Sequence, residues 1–346
     1  MTTPEPKLEL DDSWETLDNE EILRRICSAV EFRQSPEGLL VKVGHQLLKA
    51  PEDDDDSFAK AIGKILYDDF YTNPDRRQRI GRVHVDDPGL KWRFAQELAT
   101  QNSSRFSWMP HCHLVKSGPQ GLELDSGIET PFHVKPAFFD GPEEDGSGRM
   151  LTGPTTGTED PHWYFAFGEQ GINSKRQKLV RVYWSIHAAA APRFLHTLVK
   201  RLNGQLVPFQ LKVLNDPQMY GRADGGVLYL PEFVWIRVAP VLLELASEFE
   251  PHLQDTTPLF TRRLARGVGL AEDPGEGQSF GDTLTKTIAT SIIAAHRAGS
   301  DAIFDQVTTD LKDVGYDLER LHLRPGSTRD YRLLSYQEAS SWEALA

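Results

Sequence analysis

Cysteine is almost missing from this chain of 346 residues, with Cys27 and Cys112 the only two. Two thiols cannot build a disulfide framework or a cysteine-rich zinc site, which fits a reducing compartment and reads both as small buried side chains. Long apolar runs are missing too: none approaches the ~20 residues of a membrane-spanning helix. The opening stretch MTTPEPKLELDDSWETLDNEE is acidic and carries prolines, without the basic and apolar regions of a secretory signal. A cytoplasmic protein with no membrane role is expected. Positive charge is in short supply, since 38 Lys and Arg stand against 51 Asp and Glu for a net charge of −13. That argues against nucleic acid as a partner, because such binders carry a basic footprint. An anionic substrate would have to meet a local basic pocket, and arginines do gather in runs such as NSKRQKLVR and TRRLAR. Also absent are the phosphate-binding GxxxxGK[ST] loop, a GxGxxG after a strand, the HExxH zinc motif, a serine-hydrolase elbow and the kinase signatures.

What is present is enough apolar material, 39% of residues with 10% aromatic, for a sizeable core. The patterning predicts an α+β fold, a mostly antiparallel sheet with flanking helices in two lobes. Residues 1–18 read as a disordered tail, 19–175 as an N-terminal lobe with a strand-rich and loop-rich second half, and 176–346 as a C-terminal lobe. Helical spacing runs through Ile22, Leu23, Ile26 and Val30, through SFAKAIGKILYDDFY with Ser57 as the expected N-cap, and through KWRFAQELATQN. GLLVKVGHQLL is open between a strand and a second amphipathic piece. Short alternating segments broken by Gly and Pro fill 105–171, where DGPEEDGSGRMLTGPTTGTEDP reads as a mobile loop between two strands. Later, PEFVWIRVAPVLLELASEF predicts a helix that Pro240 kinks, TPLFTRRLARGVGLAEDPGEGQSFG a strand running into a Gly-rich loop, and DTLTKTIATSIIAAHRAG and SDAIFDQVTTDLKDVG two closing helices.

The most informative stretch is KLVRVYWSIHAAAAPRFLHTLVKRLNGQLVPFQLKVLNDPQMYGRADGGVLYLP, from Lys178 to Pro231. LVRVYWSIH alternates, which puts Arg181, Tyr183, Ser185 and His187 on a polar face and Val180, Val182, Trp184 and Ile186 on a packing face. A helix follows, with Pro192 near its start and Asn203-Gly204 at its end. In the next strand Lys212 interrupts the apolar run FQLKVL. An ammonium there is costly to bury unless it is paired, loses its proton or faces a cleft. Read blandly, Lys212 sits at a strand edge and the arginines are surface charges. Two other clusters carry less. His111 and His113 of HCH, with His133, could face one side of a strand as metal ligands, yet no carboxylate stands at diagnostic spacing, so partly buried strand histidines with no metal are expected. Ser279, Phe280 and Gly281 open a helix whose free N–H groups favour anions.

At RVYW, PFQLKVLNDPQMYGRADGGVLYLP, FTRRLARGVGLAEDPGEGQSFG and LRPGSTRDY the sequence resembles the HopA-type effector family, named for type III secretion effectors of plant pathogens. Its stand-alone members include the lyase components of class V lanthipeptide and thioamitide biosynthesis. The likeness spans about residues 20–332 and is strongest from Lys178 to Gly281. It implies elimination of phosphate from phosphoserine or phosphothreonine in a peptide supplied by a partner kinase, with no cofactor. A more distant similarity to phosphothreonine lyases follows the order of Arg181, Tyr183, Lys212 and Arg222. By that resemblance Lys212 is the base, and Arg181 and Arg222, with Arg262 or Arg263, clamp the phosphate. A lysine, protonated at its ordinary pKa of about 10.4, must be freed of its proton by burial and neighbouring cations to serve. Where the distant lyases carry a histidine acid this strand has Tyr183, so leaving-group protonation falls to Tyr183, to His187 or to none. Close relatives often carry a basic residue just after SFG, whereas Asp282, Thr283 and Leu284 follow here, with Lys286 nearby. The competing expectation is a non-catalytic binding module that scaffolds a kinase or a leader peptide.

Overall fold

The computed structural model describes residues 17–36, 38–51, 54–74, 87–119, 121–125, 132–152, 162–172, 177–275 and 278–343. Residues 1–16 of the expected disordered tail lie outside the described residues. The described chain opens with α1 (Asn19–Ser28) and a small meander of β1 (Val30–Ser35), β2 (Gly38–Val43) and β3 (Gln46–Lys49), so GLLVKVGHQLL resolves into two strands. Helix α2 (Asp55–Leu66) follows and widens into a π-helical turn over Tyr67–Tyr71. Its N-cap is Asp54 rather than Ser57: the Asp54 carboxylate accepts the Ser57 N–H at 3.0 Å, and acidic Asp55 and Asp56 suit the positive end of the helix. After α3 (Pro88–Gln101) comes a five-stranded sheet of β4 (Ser107–Gly118), β5 (Gly121–Asp125), β6 (Phe132–Val134), β7 (Phe139–Asp140) and β8 (Ser147–Thr152).

The segment read as one mobile loop from Asp140 is thus partly ordered. Residues 147–152 form β8 along β4, and only 153–161 lie outside the described residues. Low apolarity hid this strand because one of its faces is open to water, while Met150 packs inward with Met109 and Cys112.

The second half builds a six-stranded antiparallel sheet from β9 (Trp163–Phe167), β10 (Leu179–Trp184), β11 (Gln210–Leu214), β12 (Gly226–Pro231), β13 (Arg262–Ala265) and β14 (Val268–Glu272). Strand order is β13-β14-β10-β12-β11-β9. The stretch expected as one strand before the Gly-rich loop is the β13/β14 hairpin. Gly267 makes its turn at φ +60°, where a Cβ would stand 2.4 Å from the Gln254 carbonyl oxygen. Helices α4 (Ala191–Gly204), α5 (Trp235–Phe249), α6 (Phe280–Arg297), α7 (Ile303–Asp313) and α8 (Tyr336–Glu343) complete the α+β fold, and Pro240 lies inside α5 as expected.

Side-chain alternation along the sheet sorts its residues into different cores. Val180, Val182, Trp184, Leu211, Val213, Leu228 and Leu230 pack with residues of α3, α4 and α5 on one face. On the other face Tyr183, Val227, Tyr229 and Ala271 pack with α1, α2, α6 and α7. Still on that second face, Phe165 and Phe167 of β9 pack with the five-stranded sheet instead. Strand β10, read as having one polar and one packing face, is therefore buried along its whole length. A second layer of helices covers the side that carries Arg181 and Tyr183.

The C-terminal LRPGSTRDY segment is clasped to this sheet through a buried carboxylate. Glu272, 1% exposed, accepts the Arg324 N–H at 2.9 Å, the Ser327 hydroxyl at 2.8 Å and the Tyr331 hydroxyl at 2.8 Å. Arg324 also donates to Glu232 and, at 3.1 Å, to the Asp273 carbonyl. Burial, with the hydrogen bond to Glu272, pushes the Tyr331 phenol above its ordinary value, so it remains a donor.

Candidate functional site

Lys212 stands at the seam between the two layers on the second face of the sheet. Its cross-strand partners are Val227 on β12, which packs under the helices, and Phe165 on β9, which packs under the five-stranded sheet. The layers do not close over the seam, and a cleft of ≈ 620 Å³ opens there, within the range of small-ligand sites. This answers why a lysine interrupts FQLKVL: Lys212 is only 7% exposed, but it borders the cleft rather than the packed core. Its ammonium lies 4.6 Å from the Trp163 ring centroid and 5.7 Å from that of Tyr229, both in cation–π range.

Helices α2 and α6 build the opposite wall. They cross closely at Gly63, where a Cβ would stand 3.2 Å from Lys286 Cα, and this brings Lys60 and Lys64 beside Lys286 on the cleft rim. Lys60 at 2.7 Å and Lys286 at 2.9 Å share one carboxylate, Asp56, and together hold it down to about 2. Lys64 pairs with Asp68 at 2.9 Å. The π-helical turn presents Tyr67 to the cleft and stacks it on Tyr71 at 5.1 Å; π-bulges of this kind recur at functional sites.

Arg222 enters from the loop before β12. Its Nε and Nη2 each donate to Asp224 at 2.8 Å, and the Tyr67 hydroxyl reaches the same carboxylate at 3.3 Å. Burial opposes the Arg222 charge, but the Asp224 carboxylate outweighs it and holds the guanidinium above its ordinary value. Burial first, then Asp224, pushes the Tyr67 phenol well up.

Gly281 of the SFG motif accounts for how tightly α6 meets these tyrosines. A Cβ there would stand 2.5 Å from Tyr71 Cε1 and 2.6 Å from Tyr67 Cε2, so no side chain fits. Gly281→Ala is expected to lower stability by about 1–3 kcal/mol by forcing α6 off the tyrosine pair. Thermal denaturation checks this, and an unchanged melting temperature would mean that the rings yield freely.

The residues expected from sequence divide sharply. Lys212 and Arg222 border the cleft. Arg181 and Tyr183 share the sheet face of Lys212 but lie under the helices, 3% and 4% exposed. Arg181 donates to Asp273 at 2.6 Å and to the Gln278 carbonyl at 2.5 Å, so it anchors the loop that leads into α6 rather than facing the cleft. Tyr183 lies beside Tyr71, whose hydroxyl is pushed well above its ordinary value by burial and then by Tyr183 and Tyr67. His187 is exposed, with its backbone N–H on the His252 carbonyl, and does not border the cleft. Arg262 and Arg263 are corrected outright as partners of Lys212. They sit on β13 at the far edge of the sheet, four strand spacings or roughly 19 Å from β11, and Arg262 is bound to Asp330.

Lys60, Lys64, His162 and Trp163 also border the cleft and went unread in the sequence. A signal existed only for the lysines, whose four-residue spacing in KAIGK puts both on one face of α2. Among the described residues no cluster of three His, Cys, Asp or Glu side chains is poised to hold a metal, and the His111 side chain lies outside that description.

Residues 158–323 match the profile of the HopA1 effector protein family, the resemblance that the motifs in this stretch indicated. Comparison with curated proteins returns no match. Among solved structures, the effector protein from Pseudomonas syringae pv. syringae strain 61 is 15% identical, with 79% of this chain and 98% of that one covered and a TM-score of 0.44. The effector protein from Pseudomonas syringae pv. tomato strain DC3000 is 13% identical, with 78% and 95% covered and a TM-score of 0.45.

Proposed function

We propose that this chain, whose residues 158–323 match the HopA1 profile, is a phosphoserine/phosphothreonine lyase that converts a phosphorylated peptide to dehydroalanine or dehydrobutyrine during peptide natural-product maturation, with a kinase partner supplying the phosphate. The observation that carries this reading is the placement of Lys212 on the floor of a cleft rimmed by Arg222, Lys60, Lys64 and Lys286, in a protein of net charge −13. A phosphate dianion finds there the cations that the surface as a whole withholds.

β-Elimination asks for a base at the α-carbon and electrostatic support for the departing phosphate, and no cofactor is needed. Lys212 Nζ takes the Cα proton, the C–H electron pair becomes the Cα=Cβ bond, and the Cβ–O bond breaks with its pair left on the phosphate. Proton transfer turns the amine into an ammonium, and the Trp163 and Tyr229 rings are placed to stabilise the charge as it forms. Arg222, fixed by Asp224, and the rim lysines hold the phosphate; Arg181 contributes by anchoring the loop before α6. The test is to incubate the full chain with phosphoserine and phosphothreonine peptides and look by mass spectrometry for loss of the elements of phosphoric acid. Phosphate retained on every peptide, with the kinase present, would sink the proposal.

One observation favours a second reading. An ammonium already seated against two aromatic faces, among cations already paired with Asp56, Asp68 and Asp224, suits a phosphopeptide-binding module as well as an enzyme. Such a module would bind the phosphopeptide and return it unchanged.

A further inference from the structure

The lyase reading leaves the leaving group without a proton, because Tyr183 is buried under the helices and His187 does not border the cleft. A phosphate monoester dianion that loses its carbon would depart as the trianion unless the bridging oxygen is protonated as the bond breaks. On the lyase reading Arg222, Lys60, Lys64 and Lys286 are engaged in holding the phosphate. Tyr67 turns its hydroxyl to Asp224 and is pushed well above its ordinary value by burial, so it gives up its proton poorly. Asp68 is already paired with Lys64 at 2.9 Å. The one imidazole on the cleft wall, among the described residues, is His162.

Its position is fixed by the KVLNDP motif that follows Lys212. Strand β9 runs antiparallel to β11, with Phe165 opposite Lys212 and Trp163 opposite Leu214, so His162 lies one residue beyond the paired end. Asn215, 2% exposed, locks that end: its backbone N–H donates to the His162 carbonyl at 3.0 Å and its side-chain amide to the Trp163 carbonyl at 3.4 Å. The Trp163 ring carries the Lys212 ammonium on its face, and Lys212, Trp163 and His162 all border the same cleft.

We infer that His162 is the general acid of the elimination, an inference that rests on the lyase reading. As Lys212 takes the Cα proton, the imidazolium of His162 gives its N–H proton to the bridging oxygen, so hydrogen phosphate leaves. Lys212 ends as an ammonium and His162 as the neutral imidazole, and exchange with water resets both. Imidazole is the side chain that carries a transferable proton near neutral pH, and the assignment gives the neighbouring Asn215 a role in aiming it.

The test compares the full-length protein with His162→Ala and His162→Gln on a phosphothreonine peptide, following dehydrobutyrine by mass spectrometry. His162 is exposed, so both variants should keep the melting temperature of the parent. The expected result is a kcat lower by about 100-fold or more with KM little changed, since general acid catalysis contributes about 10²–10⁴-fold. The alkaline fall of the kcat profile should vanish in His162→Ala, and free imidazole in the buffer should restore part of the rate. A His162→Ala variant within about threefold of the parent, or one that keeps the alkaline fall and ignores imidazole, overturns the assignment while the lyase reading stands. If the parent itself releases no phosphate from any phosphopeptide, the lyase reading falls and the role of His162 falls with it.

Discussion

Lys212→Ala is expected to abolish dehydration of a phosphothreonine peptide, with kcat falling by at least about 10²–10⁴-fold, the usual worth of a positioned base. Lys212→Arg is the sharper variant. It keeps a cation between Trp163 and Tyr229 but has no amine to accept the α-proton, so it should bind phosphopeptide and not turn it over. Peptide affinity by calorimetry and product by mass spectrometry separate the two properties. Because a charged residue only 7% exposed is costly to bury, Lys212→Met should match or exceed the parent in thermal stability while losing activity. A residue whose loss harms turnover and spares the fold is a functional residue. Turnover that survived Lys212→Ala would move the base elsewhere in the cleft even if elimination itself were found.

Glu272→Ala should be the most destabilising substitution in the C-terminal half. The carboxylate accepts three hydrogen bonds from the LRPGSTRDY segment, and its removal strands Tyr331 and leaves Arg324 with less of its compensating charge inside the protein. Removing one partner of a buried charge pair costs about 3–5 kcal/mol. Urea denaturation should show that loss in the transition midpoint with little change in slope. The damage would extend to the cleft, because Arg324 also holds the Asp273 carbonyl while Arg181 holds its carboxylate, and this loop leads into Ser279 and α6. A loss below about 1 kcal/mol would mean that the clasp is a solvated surface contact, the class whose worth is typically 0–1 kcal/mol.

Much of the fold was legible because alternation and helical spacing report burial directly. Strands β10, β11 and β12 and helices α4, α5, α6 and α7 stand where the pattern placed them. Strand β8 was misread because a strand packed on one face carries too few apolar residues to stand out from a polar loop. Ser57 was misread as the cap because Asp54, just outside the apolar pattern, competes for the same role. The buried polar face of β10 could not be foreseen, since alternation tells which residues share a face but not whether a second layer covers it.

The site follows the same division. Lys212 was legible as a charge inside an apolar strand, and Arg222 by its place before the next strand. Arg262 and Arg263 looked equivalent in sequence, but the strand order β13-β14-β10-β12-β11-β9 carries them to the opposite edge. Lys60, Lys64 and His162 reach the cleft only because α2 packs on α6 and β9 joins β11, contacts between distant segments that local spacing does not encode.

The most direct measurement uses a phosphothreonine peptide deuterated at the α-carbon, incubated with the full-length protein and weighed after reaction. Elimination at Lys212 predicts a product that has lost both the phosphate and the deuterium, dehydrobutyrine, with turnover slowed by the heavier isotope. Threonine that keeps its deuterium would show hydrolysis instead, and a phosphopeptide bound tightly but recovered intact would show a binding module; either result contradicts a lyase.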